Sequence, residues 1–218
     1  TEIPVAPDTR LSPQREARPN AARELDGRLL DVLKQYDDLA IAVSGGIDSM
    51  TLAFVAHRFL DRQPMMVHAV SPAVPVEATL RIRNYAAREG WRFSLVDAGE
   101  FADPSYRANP VDRCYFCKSN LYDRIRGLSY GVIASGTNLD DLGDFRPGLK
   151  AAEERRVVHP FVEARIGKAD IRQLARFVIF GDARVLDMGA KVAKTNPDVV
   201  RATSESALPA GESRPILV

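Results

Sequence analysis

The sequence predicts an α/β fold with a mostly parallel sheet and helices on both faces. Three observations carry this expectation. Short apolar runs alternate with amphipathic segments along most of the chain, the pattern of successive βαβ units. Two of those runs, 39–43 and 130–134, are almost continuously apolar, as strands buried on both faces must be. Four strands end on small or polar residues: Ser44, Ser71, Asp97 and Ser135-Gly136. In parallel sheets, ligands bind at the carboxyl ends of the strands, near the point where strand order reverses.

The elements follow in order. Residues 1–19 are rich in Pro, Arg and Glu without periodicity and read as a flexible arm. Leu25, Leu29, Leu33 and Tyr36 recur at helical spacing and lead into strand 39–43. Residues 48–60 read as a helix that is apolar on most faces, hence buried. Residues 65–70 form a second strand. A helix follows over 76–89 with Gly90 just past its end. Residues 91–96 form a third strand, 118–126 a helix, 130–134 a fourth strand and 168–176 a further helix. The main domain is thus expected over 20–176, with 177–218 as a small C-terminal extension.

Composition narrows the class. With 218 residues and 45% apolar side chains, the chain can bury one sizeable core. Its 30 Lys and Arg against 29 Asp and Glu leave a net charge of +1. That balance disfavours a chain-wide nucleic-acid or membrane field. No apolar run approaches the roughly 20 residues of a membrane span, and the first residues hold no apolar signal region. The expectation is a cytoplasmic protein with no membrane partner.

The sharpest feature is Ser44-Gly45-Gly46-Ile47-Asp48-Ser49, which lies between strand and helix. A glycine-rich turn that opens a helix aims backbone N–H groups and the helix N-terminus at one point, an anion site. The segment lacks the Gly-x-x-x-x-Gly-Lys-Ser/Thr of a P-loop and the Gly-x-Gly-x-x-Gly of a dinucleotide fold. Gly45 and Gly46 permit close backbone approach. Ser44 and Ser49 offer hydroxyl donors. Asp48 would repel phosphate directly, which leaves it two roles: holding Mg²⁺ against a pyrophosphate, or capping the helix.

This hexapeptide resembles the PP-loop of the ATP-pyrophosphatase superfamily, whose members cleave ATP between the α and β phosphates and adenylate a carbonyl or carboxylate. The resemblance implies a five-stranded parallel sheet of order 3-2-1-4-5. Three further segments are similar to the LarE family: 69–75, 109–118 with Arg113-Cys114-Tyr115-Phe116-Cys117-Lys118, and 136–148 with Asp144-Phe145-Arg146-Pro147-Gly148. The likeness spans about residues 22–176. That family transfers sulfur to a pyridinium carboxylate mononucleotide, a precursor of the nickel-pincer nucleotide.

The resemblance implies ATP and Mg²⁺ as cofactors and a small-molecule carboxylate nucleotide as partner. A homo-oligomer is expected. By position, Ser44, Gly45, Gly46, Asp48 and Ser49 would hold the phosphates, with Asp48 on Mg²⁺. Ala69 and Ser71 would lie beside the adenosine, and Gly136 and Thr137 would close over the nucleotide. Asp141, Asp144 and Arg146 would line the activated end, where an arginine neutralises developing phosphate charge.

Cys114 and Cys117 stand at the start of a helix, where a thiolate is favoured. They read as a redox pair, half of a metal site, two ligands of a [4Fe–4S] cluster, or structural thiols. LarE-like proteins carry a further, downstream cysteine, as sulfur donor or as third cluster ligand. This sequence has none. Residues 177–185 read as a strand that abuts the helix ending at Arg176, so two explanations stand open: the protein has lost the sulfur donor, or a loop belongs between Arg176 and Phe177, which the abrupt helix-to-strand junction favours.

The reaction expected is ATP-dependent adenylation of a carboxylate with pyrophosphate release, followed by sulfur transfer. The alternatives are another PP-loop enzyme, either an amide-forming ligase of the NAD or GMP synthase type or a tRNA thiolation enzyme, and a nucleotide-binding sensor without turnover. Near-neutral charge disfavours tRNA.

Overall fold

The computed structural model describes residues 20–108, 111–128, 131–143 and 146–179. The arm 1–19, Tyr130, Asp144 and the segment 180–218 lie outside the described residues.

The element order is α1 (Asn20–Leu33), β1 (Leu39–Ala42), α2 (Ile47–Phe59), β2 (Met65–Val70), α3 (Val76–Glu89), β3 (Arg92–Asp97), α4 (Pro104–Arg107), α5 (Arg113–Arg126), β4 (Val132–Ala134), α6 (Pro147–Glu154), α7 (Pro160–Glu163) and α8 (Lys168–Val178). Short 3₁₀ segments cover Glu100–Ala102 and Leu139–Gly143. Strand order is β3-β2-β1-β4 and every pairing is parallel. Ile41 of β1 pairs with Met66 on one side and Ala134 on the other.

Among the described residues the sheet therefore has four strands, not five. Beyond β4, the one pairing among them is Val158, as an isolated parallel bridge to Ala134. Val158 N–H donates to the Ile133 carbonyl, and the Val158 carbonyl accepts from Ser135 N–H. Pro160 removes a backbone donor two residues later and opens α7, so the ladder stops there.

The strand expected from Phe177 is also corrected at its start. Helix α8 runs through Phe177 and Val178, both buried, and Ile179 N–H bonds the Ala175 carbonyl at 2.9 Å. Apolar Ile171, Leu174, Ala175 and Val178 recur at helical spacing on its buried face, so Phe177 and Val178 continue the helix rather than begin a strand. Residues 180–185 of the expected strand lie outside the described residues. Helix α5 begins at Arg113, five residues earlier than its apolar pattern suggests, because the first turn is half-exposed. Helices α4, α6 and α7, each with Pro in the first turn, were not anticipated.

Two cores sandwich the sheet. One packs Leu29, Leu33, Ile41, Phe54, Ile82, Phe161, Ile171 and Leu174. The other packs Ala40, Val67, Leu121, Tyr122, Ile125 and Ile133. Helix α2 is buried continuously from Ser49 to Ala56, as its all-round apolarity requires. Strand order reverses at β1, which has β2 on one side and β4, later in sequence, on the other. The carboxyl ends of β1 and β4 thus open onto one crevice. No helix among the described residues is long and apolar enough to cross a membrane.

Candidate functional site

A cavity of about 570 Å³ occupies that crevice. Ser44, Gly46, Asp48 and Ser49 line it from the glycine turn, Ala69 from β2, and Ser135, Gly136 and Thr137 from the end of β4. Cys114, Lys118, Asp141, Arg146 and Lys168 complete its polar wall.

The turn is built as its composition demands. Gly45 has φ +82°, a conformation L side chains rarely adopt. Gly46 is the N-cap of α2 and makes no side-chain cap bond. The serines brace the turn from inside. Ser49 Oγ donates to the Gly46 carbonyl at 3.1 Å and accepts from Ser44 N–H at 3.1 Å. Arg81 of α3 donates to the Gly45 carbonyl at 3.2 Å, which clamps the turn from behind.

Gly136 is a packing requirement. A Cβ there would lie 2.7 Å from Ser49 N and 2.8 Å from Ser49 Cα. The β4 loop touches the first turn of α2 backbone to backbone, and only glycine allows it.

Asp48 does not cap the helix. Its Oδ2 accepts from Asn138 Nδ2 at 3.2 Å and lies 3.4 Å from Lys168 Nζ. Its Oδ1 is buried and has no hydrogen-bond partner. Burial raises the Asp48 pKa, while Lys168 opposes the shift. A buried carboxylate oxygen without a donor suits a hard divalent cation, so the residues present fit Mg²⁺ on Asp48.

Sequence reasoning missed the supports of Asp48. Asn138, fully buried, accepts from Asp140 N–H through Oδ1 at 3.0 Å while its own N–H donates to Asp141 at 3.0 Å. Asp140 Oδ2 accepts from Lys168 N–H at 2.6 Å at the start of α8, which sets Lys168 against Asp48. One signal was available: a lysine at the first position of a helix opposes the macrodipole and calls for a reason. Arg146 pairs with Asp141 at 2.9 Å on the cavity wall.

Other expectations divide. Ser71 does not line the cavity; its Oγ accepts from Ala73 N–H at 3.2 Å within its own turn. Gly45 shapes the turn without lining the cavity. Cys114 is exposed and faces the cavity, whereas Cys117 is buried and its thiol is pushed up to about 11 by burial. The Cys117 thiol is thus not activated, because its desolvation outweighs the nearby Lys118 and Arg113. Among the described residues, no group of three or more His, Cys, Asp or Glu could hold a metal ion. With two cysteines in the chain, one of them turned inward, the residues do not fit a [4Fe–4S] cluster. His68 bonds the Val43 carbonyl and Thr79 at 2.8 and 2.9 Å, and burial keeps it neutral.

The fold is shared with enzymes of the PP-loop ATP-pyrophosphatase superfamily, and the glycine turn resembles their PP-loop. The sequence is also similar to a LarE-type protein. The pyridinium-3,5-bisthiocarboxylic acid mononucleotide synthase of Lactiplantibacillus plantarum, a LarE homologue, is 28% identical over 153 residues, 68% of this chain and 55% of its own. An uncharacterized protein of Synechocystis sp. is 39% identical over 157 residues, 68% of this chain and 59% of its own. The chain thus spans between half and two thirds of the length of these relatives. No protein-family model matches.

Two solved structures share the fold. The U34-tRNA thiolase NcsA of Methanococcus maripaludis, with its [4Fe–4S] cluster, superposes with a TM-score of 0.53 at 14% identity, covering 85% of this chain and 78% of its own. The NH₃-dependent NAD synthetase of Campylobacter jejuni superposes at 0.55 and 13%, covering 90% and 100%.

Proposed function

We propose that this protein binds ATP with Mg²⁺ and cleaves it between the α and β phosphates, transferring AMP to a carboxylate and releasing pyrophosphate. The observation that carries this reading is Asp48 Oδ1, a buried carboxylate oxygen without a donor. It sits at the first turn of α2, beside the glycine turn, in the cavity at the switch point. Asp48 would hold Mg²⁺, which supplies charge neutralisation to the departing pyrophosphate. Gly46 and the first turn of α2 present backbone N–H groups to phosphate oxygens. Lys118, Arg146 and Lys168 line the same wall and would stabilise charge as the α-phosphorus is attacked by the carboxylate oxygen.

The finer reading is sulfur transfer. A sulfur nucleophile adds to the adenylated carbonyl carbon, AMP departs, and a thiocarboxylate or thioester remains. Cys114 supports this, since its exposed thiol faces the cavity one helical turn from Lys118. The LarE resemblance supports it too.

The test is ATP–pyrophosphate exchange with candidate carboxylates, including pyridinium carboxylate mononucleotides. Carboxylate-dependent exchange, lost in Asp48→Ala, is expected. ATP binding without exchange for any acceptor would favour a sensor and overturn the enzyme reading. Cys114→Ala should keep exchange and lose the thio product; an unchanged thio product would remove Cys114 from the transfer step.

A further inference from the structure

Behind the cavity stands a short hydrogen-bond chain that the proposed chemistry does not use. His159, the N-cap of α7, places Nδ1 2.8 Å from Ser135 Oγ. Ser135 Oγ lies 3.0 Å from Thr137 Oγ1 and also accepts from Thr137 N–H at 3.4 Å. Ser135 and Thr137 line the cavity and His159 does not. An imidazole is therefore wired through two hydroxyls to the nucleotide side of the β4 loop.

Each hydroxyl has a single proton, so the chain has a direction. When Nδ1 is bare, Ser135 donates to it, Thr137 donates to Ser135, and the cavity meets a Thr137 lone pair. When Nδ1 carries a proton it donates to Ser135, Ser135 donates to Thr137, and the Thr137 proton turns to the cavity. Phosphate and pyrophosphate accept hydrogen bonds only, so an anion selects the second arrangement. A charged imidazole has protons on both nitrogens and allows no other.

We propose that His159 is a positioning residue of the anion site, setting through Ser135 whether Thr137 offers the cavity a donor or a lone pair. The inference rests on the nucleotide-binding reading above. Anion binding and protonation of His159 are thereby linked, each favouring the other. The charged groups that act on the ring are Glu163 of α7 and Asp141 of the second 3₁₀ segment, which favour its charged form, and Lys118 of α5, which disfavours it. Burial is the largest effect and holds His159 below its ordinary range, so the free protein is neutral there at neutral pH.

The experiment is calorimetric titration of the full chain with ATP and with inorganic pyrophosphate, from about pH 5.5 to about pH 8. Wild type is compared with His159→Asn, Ser135→Ala and the double variant, each checked for folding by circular dichroism. The difference between wild type and variant cancels the ligand's own titration. Wild-type affinity should rise more steeply toward low pH than that of either variant. Each single change should weaken anion binding by about tenfold, and the double change by no more than either alone. Ser135→Ala leaves the imidazole in place, so it carries the test if His159→Asn does not fold. Pyrophosphate and ATP bound with one shared pH profile in all proteins, or additive losses, would overturn the relay alone. Failure of wild type to bind either ligand would overturn the nucleotide reading and the relay with it.

Discussion

Replacing Gly136 with alanine should damage the site through backbone geometry alone, without removing a functional group. The new Cβ would meet Ser49 N at 2.7 Å, Ser49 Cα at 2.8 Å and the Asp48 carbonyl carbon at 3.0 Å, against an ordinary contact of 3.4 Å or more. These are backbone atoms, so no rotamer change relieves the clash. The β4 loop and the first turn of α2 must part by about 0.7 Å. Overpacking of this kind costs roughly 1–3 kcal/mol of stability. The same shift moves Thr137 relative to Asp48 and Ser49, and a misplacement near 1 Å costs up to about 100-fold in rate. Thermal unfolding and ATP–pyrophosphate exchange measure the two effects. Gly143→Ala is the control, because a Cβ there meets nothing within 4 Å and its φ is not positive. Its stability should stay within about 0.5 kcal/mol of wild type. A Gly136→Ala protein with wild-type melting temperature and exchange would refute the backbone-contact argument.

Three other outcomes are expected. Asp48→Asn should abolish exchange while leaving the melting temperature at pH 7 unchanged or higher. The folded-state pKa of Asp48 lies above its unfolded value, so its contribution to stability is complete below the unfolded pKa and is lost as pH rises through the folded one; the amide lacks that loss. A large drop in melting temperature would contradict this. Iodoacetamide at about pH 8 should alkylate Cys114 rapidly and spare Cys117, whose buried thiol is held at about 11. Peptide mass mapping reads the sites, and ATP should slow modification of the cavity-facing Cys114. Arg81→Met should weaken ATP binding by about tenfold through the unclamped Gly45 carbonyl, with little change in fold. Unaltered affinity would show that the turn holds itself.

Where the sequence was legible, a local rule was at work. The strand–glycine–helix order, the αL conformation at Gly90 and the all-round burial of α2 follow from periodicity, turn chemistry and apolarity. Helix α3 and strand β2 have the bounds their patterns predict. The reading failed where packing decided: Phe177 and Val178 continue α8 because Ile171 and Leu174 already bury that face, and a fifth strand is cut to the single bridge at Val158.

The sequence by itself determined the strand–glycine–helix turn at residues 44–49 and the sheet edge on which it lies. Those features depend on neighbours in the chain. The tertiary structure alone decided which charges meet there. Asp48 and Lys168 are 120 residues apart, and Asn138 reaches Asp48 across 90. It also decided that Cys114 faces the cavity while Cys117 turns into the core. Such pairings depend on where separate helices pack against the sheet, and burial, which sets the chemistry of a carboxylate or a thiol, exists only once they have packed.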